Sequence, residues 1–206
     1  PVIVDAKRAD IGSTAARQAI ALFDTLGADA VTVNPYLGGE AIAPFLERLD
    51  RFAYVLCRTS NPGAAELQDL EVAADPGAGL SGEPLFARVA RRASGWGPGG
   101  TVGLVVGATA PAELALVRAI APGLPFLVPG VGAQGGAAGP VLESGPASVG
   151  PVARLPGGGL LVNVSRRIAA AATAPGEGPA GGRRADLADR IALAAAGWAR
   201  RLPVIS

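Results

Sequence analysis

Histidine is absent from this sequence, and so is methionine. Without histidine, a Ser-His-Asp triad, a histidine base and a histidine-ligated metal are all excluded. Without methionine there is no initiator, and the chain opens directly on the apolar run Val2-Ile3-Val4, so a fragment or a processed product is expected. The single cysteine, Cys57, cannot form an internal disulfide, which fits a reducing cytoplasm. No apolar run approaches the ~20 residues that a membrane span needs, and no signal peptide is visible. The net charge is +1, so there is no basic surplus to attract nucleic acid. Half of the 206 residues are apolar, which is enough chain and enough grease for a sizeable core.

Lysine is almost absent as well. Of eighteen basic residues one is lysine, Lys7, in Asp5-Ala-Lys7-Arg-Ala-Asp10-Ile11-Gly-Ser-Thr14. Arginine stays protonated at any working pH, whereas a lysine whose pKa is tuned can release a proton. A G+C-rich genome would explain the arginine bias by itself. The alternative is that position 7 needs a compact cation with a releasable proton, and its neighbours favour that reading.

Short β-branched runs alternate with helical patterns. Strands are expected at Val2–Val4, Ala30–Val33, Ala53–Cys57, Val102–Val106, Phe126–Val128 and Leu160–Val164. Helices are expected over Ser13–Leu26, Gly39–Leu49, Glu83–Gly95, Pro111–Ile120 and Asp186–Leu202, with 61–82 loop-like. In the first helix Ser13 or Thr14 should cap, Ala16, Ile20 and Phe23 should share a face, and Gly27 should stop it. In the last, Leu187, Ile191, Ala195 and Trp198 share a face. Strands that are apolar throughout are buried on both faces, as in a parallel sheet covered by helices. Six strand–helix units of roughly thirty residues predict an α/β fold of the TIM (β/α)8 barrel type, with about the first two units absent. An open doubly wound sheet is the runner-up, but its usual Gly-rich first turn is replaced here by Asp5-Ala-Lys7. The whole reads as one partial-barrel domain: 1–173 barrel units, 174–182 a Pro/Gly-rich linker, and 183–206 a closing helix.

Asp5 and Lys7 lie two apart at the end of a strand, so they point to one side, where a barrel builds its active site. Buried between carboxylates, a lysine keeps its ammonium form and stabilises negative charge developing beside it. A salt bridge tying a strand end to a loop is the plainer reading. Pro129-Gly-Val-Gly-Ala-Gln134-Gly-Gly136 runs from a strand into a Gly-rich turn that could cradle phosphate. Val162-Asn-Val-Ser165-Arg166-Arg167 ends the last strand, and barrel phosphate sites are commonly built from the loops after the last two strands. Arg167 and the remaining arginines read as solvated surface. Ser60, in Arg58-Thr-Ser60-Asn-Pro-Gly63, could bond a planar polar ligand or merely cap a turn. Tyr36, in Asn34-Pro-Tyr36-Leu-Gly38, reads as packing first and pocket lining second.

Together these motifs, in this order, resemble the orotidine 5′-phosphate decarboxylase family, in its longer bacterial branch, from Pro1 to about Ile168. The resemblance implies a TIM barrel working as a homodimer without metal or cofactor. It implies that Lys7 protonates the pyrimidine carbon as carbon dioxide leaves, with Asp5 beside the substrate carboxylate. It implies that Asp10, Ile11 and Thr14 reach the neighbouring subunit's site near the ribose. Ser60 would bind the pyrimidine, Gln134 would bridge base and phosphate, Ser165 and Arg166 would hold the phosphate, and Pro129 would line the wall. The family also uses an Asp after the first barrel strand and a Lys after the second. Both would precede Asp5, so the chain by itself is expected to be inactive and poorly folded. A magnesium-dependent phosphosugar decarboxylase or synthase of the same superfamily, and a non-catalytic phosphate-binding barrel, are the alternatives.

Overall fold

A computed structural model describes residues 1–79, 81–97, 100–173 and 187–204. Its centre is a six-stranded parallel sheet made of β1 (Ile3–Arg8), β2 (Ala30–Val33), β3 (Phe52–Arg58), β6 (Val102–Val106), β7 (Phe126–Val128) and β8 (Leu160–Val162), adjacent in that order. The remaining two strands, β4 (Glu71–Val72) and β5 (Glu83–Pro84), form a small antiparallel pair. The α-helices are α1 (Gly12–Ala19), α2 (Ala43–Leu46), α3 (Ala65–Gln68), α4 (Leu85–Ala93), α5 (Pro111–Ile120), α6 (Ala138–Ser144), α7 (Arg166–Thr173) and α8 (Leu187–Arg201). The expected parallel α/β barrel pattern is therefore present, with six of the eight strands such a barrel contains. The stretch 174–182 lies outside the described residues, and so does Asp186, where the last helix was expected to begin.

Side chains alternate across the strands with period two. Val31, Val55, Leu104 and Phe126 face the helices and join Phe23, Phe45, Phe86 and Leu114 in the main core. Ala30, Tyr54 and Val105 face the other way with Ile3, Phe52, Leu56 and Leu127. On this concave face Gly103 has a packing role: a Cβ there would lie 2.8 Å from the Tyr54 ring and 2.9 Å from the Phe52 ring. Those two rings pack together at 4.8 Å across the gap it leaves.

Several local expectations are corrected. The first helix is capped by neither Ser13 nor Thr14; its N-cap is Ile11, with no side-chain cap. After Ala19 the helix widens into a π segment, Ile20–Thr25, and ends at Gly27 with φ +76° as expected. The buried stripe is Ala15, Ala19 and Phe23, while Ile20 is exposed. The helix expected over 39–49 contracts to Ala43–Leu46 because Pro44, without an N–H, belongs in a first turn. The helix expected from Glu83 starts at Leu85 because Glu83 and Pro84 pair with β4. Tyr36 does not pack: it is 80 % exposed and borders a separate groove beside Leu67 and Val89.

Two arginines expected on the surface are buried. Arg58 spans Asp69 with Nε–Oδ1 at 2.8 Å and Nη2–Oδ2 at 3.1 Å. Arg118, 7 % exposed, donates to the carbonyls of Ala121 and Leu124 at 2.8 Å each and of Gly145 at 2.5 Å. Its guanidinium lies 3.6 Å from the Phe126 ring centroid. Burial pulls its pKa down to about 10. The carbonyls it binds replace the water it loses, and they tie the end of α5 to the end of α6.

The closing helix docks onto the Gly-rich turn. A Cβ on Gly132, which has φ +83°, would lie 2.9 Å from the Trp198 ring and 3.2 Å from the Arg167 stem, so only glycine admits that contact. Ile191, Ala195 and Trp198 are half-buried as expected, but Leu187 is exposed.

Candidate active site

The C-terminal ends of the strands open into a cleft of about 330 Å³ on the concave face. Its floor is apolar, from Ile3, Leu56, Val105 and Leu127, and its rim is polar. Five expected residues line it: Asp5, Lys7, Ser60, Pro129 and Gln134.

Asp5 and Lys7 meet as expected, through a route that strand alternation does not describe. Lys7 has φ +49°, the one positive value at a non-glycine among the described residues. The pairing of β1 with β2 advances four residues, Val4 to Arg8, while β2 advances two, Val31 to Val33. The extra chain bulges out opposite Thr32. A left-handed non-glycine costs about 1–2 kcal/mol, so its neighbours must hold it. Thr32 does so: its Oγ1 accepts the Lys7 N–H at 3.0 Å and donates to Asp5 Oδ1 at 2.7 Å. Lys7 Nζ then reaches Asp5 Oδ2 at 2.5 Å. The pair stands at the rim, not in the interior, with the Lys7 and Asp5 side chains 52 % and 65 % exposed.

Partial burial tends to raise the Asp5 pKa, but hydrogen bonds from Lys7 and Thr32 and the Lys7 charge together hold it below the ordinary carboxylate value. The unfolded chain therefore binds the extra proton first as pH falls. The stabilisation is complete above the unfolded pKa of ~3.9 and is lost as pH drops through the lower folded value. Urea unfolding at pH 7 and pH 3 should show a loss of stability that Asp5→Asn reduces; an unchanged pH slope in that variant would contradict the assignment.

Across the cleft, Ser60 and Gln134 form a reciprocal pair, Ser60 Oγ to Gln134 Oε1 and Gln134 Nε2 to the Ser60 carbonyl, both at 3.3 Å. They come from loops 74 residues apart. The loop after β3 is held by the Arg58–Asp69 pair and by Gln68 Oε1, which accepts the Thr59 N–H at 2.8 Å. Gly107 and Gly130 let Ser60 approach, since a Cβ on either would lie within 2.9 Å of it. In the Gly-rich turn the N–H groups of Gly132, Gly135 and Gly136 bond carbonyls of the turn itself, so those three are spent on its shape.

The other expected residues stand outside the cleft lining. Asp10 does not flank Lys7 in these contacts; its Oδ1 accepts the Ile11 N–H at 2.8 Å. Ile11 is exposed at the N-cap of α1, and Thr14 is half-buried in its first turn. Ser165 and Arg166 are exposed at the start of α7. Thr32, Asn61 and Asn163 line the cleft without having been singled out from the sequence. Thr32 and Asn163 are each a polar residue inside an apolar strand run, the one signal that could have marked them.

Cys57 has no place in this chemistry. Its Sγ donates to the Phe86 carbonyl at 3.2 Å, and burial pushes the thiol up to about 12. Native protein should resist thiol alkylation until unfolded; modification at the rate of a free thiol would show that the core around Phe86 opens.

An α/β barrel sheet with a charged rim over an apolar floor defines a barrel-type small-molecule site at the strand C-termini. The chain belongs to the orotidine 5'-phosphate decarboxylase / HUMPS family, whose profile matches residues 1–178. It is 57 % identical over 168 residues to the Orotidine 5'-phosphate decarboxylase of Halorubrum lacusprofundi, covering 82 % of this chain and 56 % of that protein. It is 49 % identical over 204 residues to the protein of the same name from Haloarcula marismortui, covering 98 % of this chain and 66 % of that one. The chain thus spans somewhat over half the length of such relatives. Among solved structures it is similar to the OMP decarboxylase of Leishmania donovani, with a TM-score of 0.72 and 41 % identity over 95 % of this chain and 65 % of that one. It is also similar to the UMP synthase of that organism, with a TM-score of 0.74 and 42 % identity over 95 % of this chain and 37 % of that one. Among the described residues no helix is long and apolar enough to cross a membrane.

Proposed function

We propose that this chain carries the proton-donating half of an orotidine 5′-phosphate decarboxylase site. The observation that carries the reading is the Lys7–Asp5 pair facing the Ser60–Gln134 pair across one cleft. As carbon dioxide leaves, the electron pair of the broken bond stays on the pyrimidine carbon. The Lys7 ammonium stabilises that charge and then gives its proton to the same carbon, forming the C–H bond and leaving a neutral amine that solvent reprotonates. Asp5 beside the substrate carboxylate orients Lys7. Ser60 and Gln134 turn from one another to the pyrimidine, Pro129 forms the wall, and Gln134 with Ser165 and Arg166 holds the phosphate. Phosphate binding, remote from the reacting carbon, holds the site closed.

The partner is a second copy of the chain. Asp10, Ile11 and Thr14, which stand outside their own cleft, serve the neighbour's ribose. The barrel is one domain, with 1–173 as its units and α8 (Leu187–Arg201) as its closing helix, and it works in the cytoplasm. The family resemblance implies a further Asp and Lys before Asp5. Among the described residues both outer strands, β1 and β8, lack a second neighbour in the sheet. The 206-residue chain by itself is therefore expected not to decarboxylate orotidine 5′-monophosphate; measurable turnover by it would overturn that expectation.

The test is turnover by the chain extended N-terminally to the length of its relatives, with and without EDTA. Turnover indifferent to EDTA supports the reading, and loss on chelation favours a magnesium-dependent phosphosugar lyase. In the same protein Gln134→Ala should raise KM about tenfold with a smaller change in kcat, because it removes a contact made before and during reaction. A pure kcat effect would remove Gln134 from substrate binding.

A further inference from the structure

Thr32 sits in the middle of β2 with 1 % of its surface exposed. A β-branched residue suits a strand, and a valine would fill the same space. The hydroxyl is what the site uses. It has one proton to give and lone pairs to receive, and both capacities are taken by the bulge of β1. The Asp5 carboxylate accepts at one end, and the backbone N–H of Lys7 donates at the other.

Each bond fixes something the chemistry needs. The bond to Oδ1 leaves Oδ2 as the oxygen that meets Lys7 Nζ, so it sets which way the carboxylate faces. The bond from the N–H holds Lys7 in its left-handed conformation, and this aims the side chain over the cleft instead of along the strand. The Asp5–Lys7 contact is exposed and joins side chains two residues apart, so by itself it defines neither orientation.

We propose that Thr32 is a positioning residue of the reaction: its buried hydroxyl orients the Asp5 carboxylate and holds the backbone of Lys7 so that the ammonium meets the reacting carbon. This rests on the decarboxylase reading for its kinetic consequence and on geometry alone for its structural one.

The experiment compares wild type, Thr32→Val and Thr32→Ser in the N-terminally extended protein by steady-state kinetics and by NMR titration of the Asp5 carboxyl carbon. Thr32→Val should lower kcat about 10²-fold, the scale of a misplacement near 1 Å, while KM moves less than about threefold. The Asp5 midpoint should rise, because one of its hydrogen bonds is gone. Thr32→Ser, which keeps the hydroxyl, should recover most of kcat and the wild-type Asp5 midpoint. A role in packing alone would lower Tm in both variants and leave the Asp5 midpoint in place. An unmoved midpoint in Thr32→Val, or a Thr32→Ser variant as slow as Thr32→Val, overturns the proposal. If the wild-type protein shows no decarboxylation yet the midpoint moves in Thr32→Val only, the decarboxylase reading fails and the positioning role stands.

Discussion

Lys7→Ala, in the N-terminally extended protein, should lower kcat about 10⁴-fold, at the upper end of what a positioned proton donor supplies. The loss is large because two contributions share one atom. On the proposed reading the ammonium would first offset charge growing on a ring carbon that has no adjacent electron sink, and would then become the acid. Lys7→Arg should not restore the rate. A guanidinium keeps the charge but will not readily surrender a proton, and its planar fork does not fit a contact made by one Nζ at 2.5 Å from Asp5. Calorimetric affinity for uridine 5′-monophosphate should stay within about threefold in both variants, because the proposed phosphate and base contacts would come from other loops. Turnover within tenfold of wild type in Lys7→Ala would remove Lys7 from the mechanism.

Arg118→Met should destabilise the fold by about 3 kcal/mol, measured by urea unfolding of the extended protein, since it leaves buried carbonyl acceptors unsatisfied. The guanidinium reaches three separate carbonyls, those of Ala121, Leu124 and Gly145, and covers the Phe126 ring. Methionine fills the volume and satisfies none of them. Arg118→Lys should rescue little, because one ammonium cannot span three segments in the geometry of the planar fork. Arg154→Ala, an exposed arginine on a nearby turn, should change stability by less than about 0.5 kcal/mol. Equal losses at Arg118 and Arg154 would mean that the buried network carries no special weight.

Fold class was legible in the chain because parallel strands buried on both faces leave an unmistakable trace. Val102–Val106 and Phe126–Val128 occur where their apolar runs predict them. Boundaries were less legible where tertiary pairing competed with local propensity. Glu83 reads as a helix start, yet it pairs with β4 and lies buried between Arg88 and Arg91 at 2.6 and 2.9 Å. The π segment after Ala19 was invisible, since a single widened turn changes which residues face inward without changing the composition. In the site, chemistry-bearing residues in characteristic strings were found: Asp5, Lys7, Ser60, Pro129 and Gln134 all border the cleft. Thr32 was missed because a threonine in an apolar strand reads as ordinary β-propensity.

By itself the sequence determined the parallel α/β arrangement and singled out Lys7, the one lysine of the 206 residues, as the candidate proton donor. Those follow from residue identity and from periodicities along the chain. The tertiary structure decided the rest. It set Lys7 left-handed against Thr32 of the next strand, joined Ser60 to Gln134 across 74 residues, drew Arg118 into the interior, and left Tyr36 in solvent. The physical reason is that a hydrogen bond or a buried charge is defined by what lies opposite in space, and neighbours in a barrel sheet are supplied by distant parts of the chain.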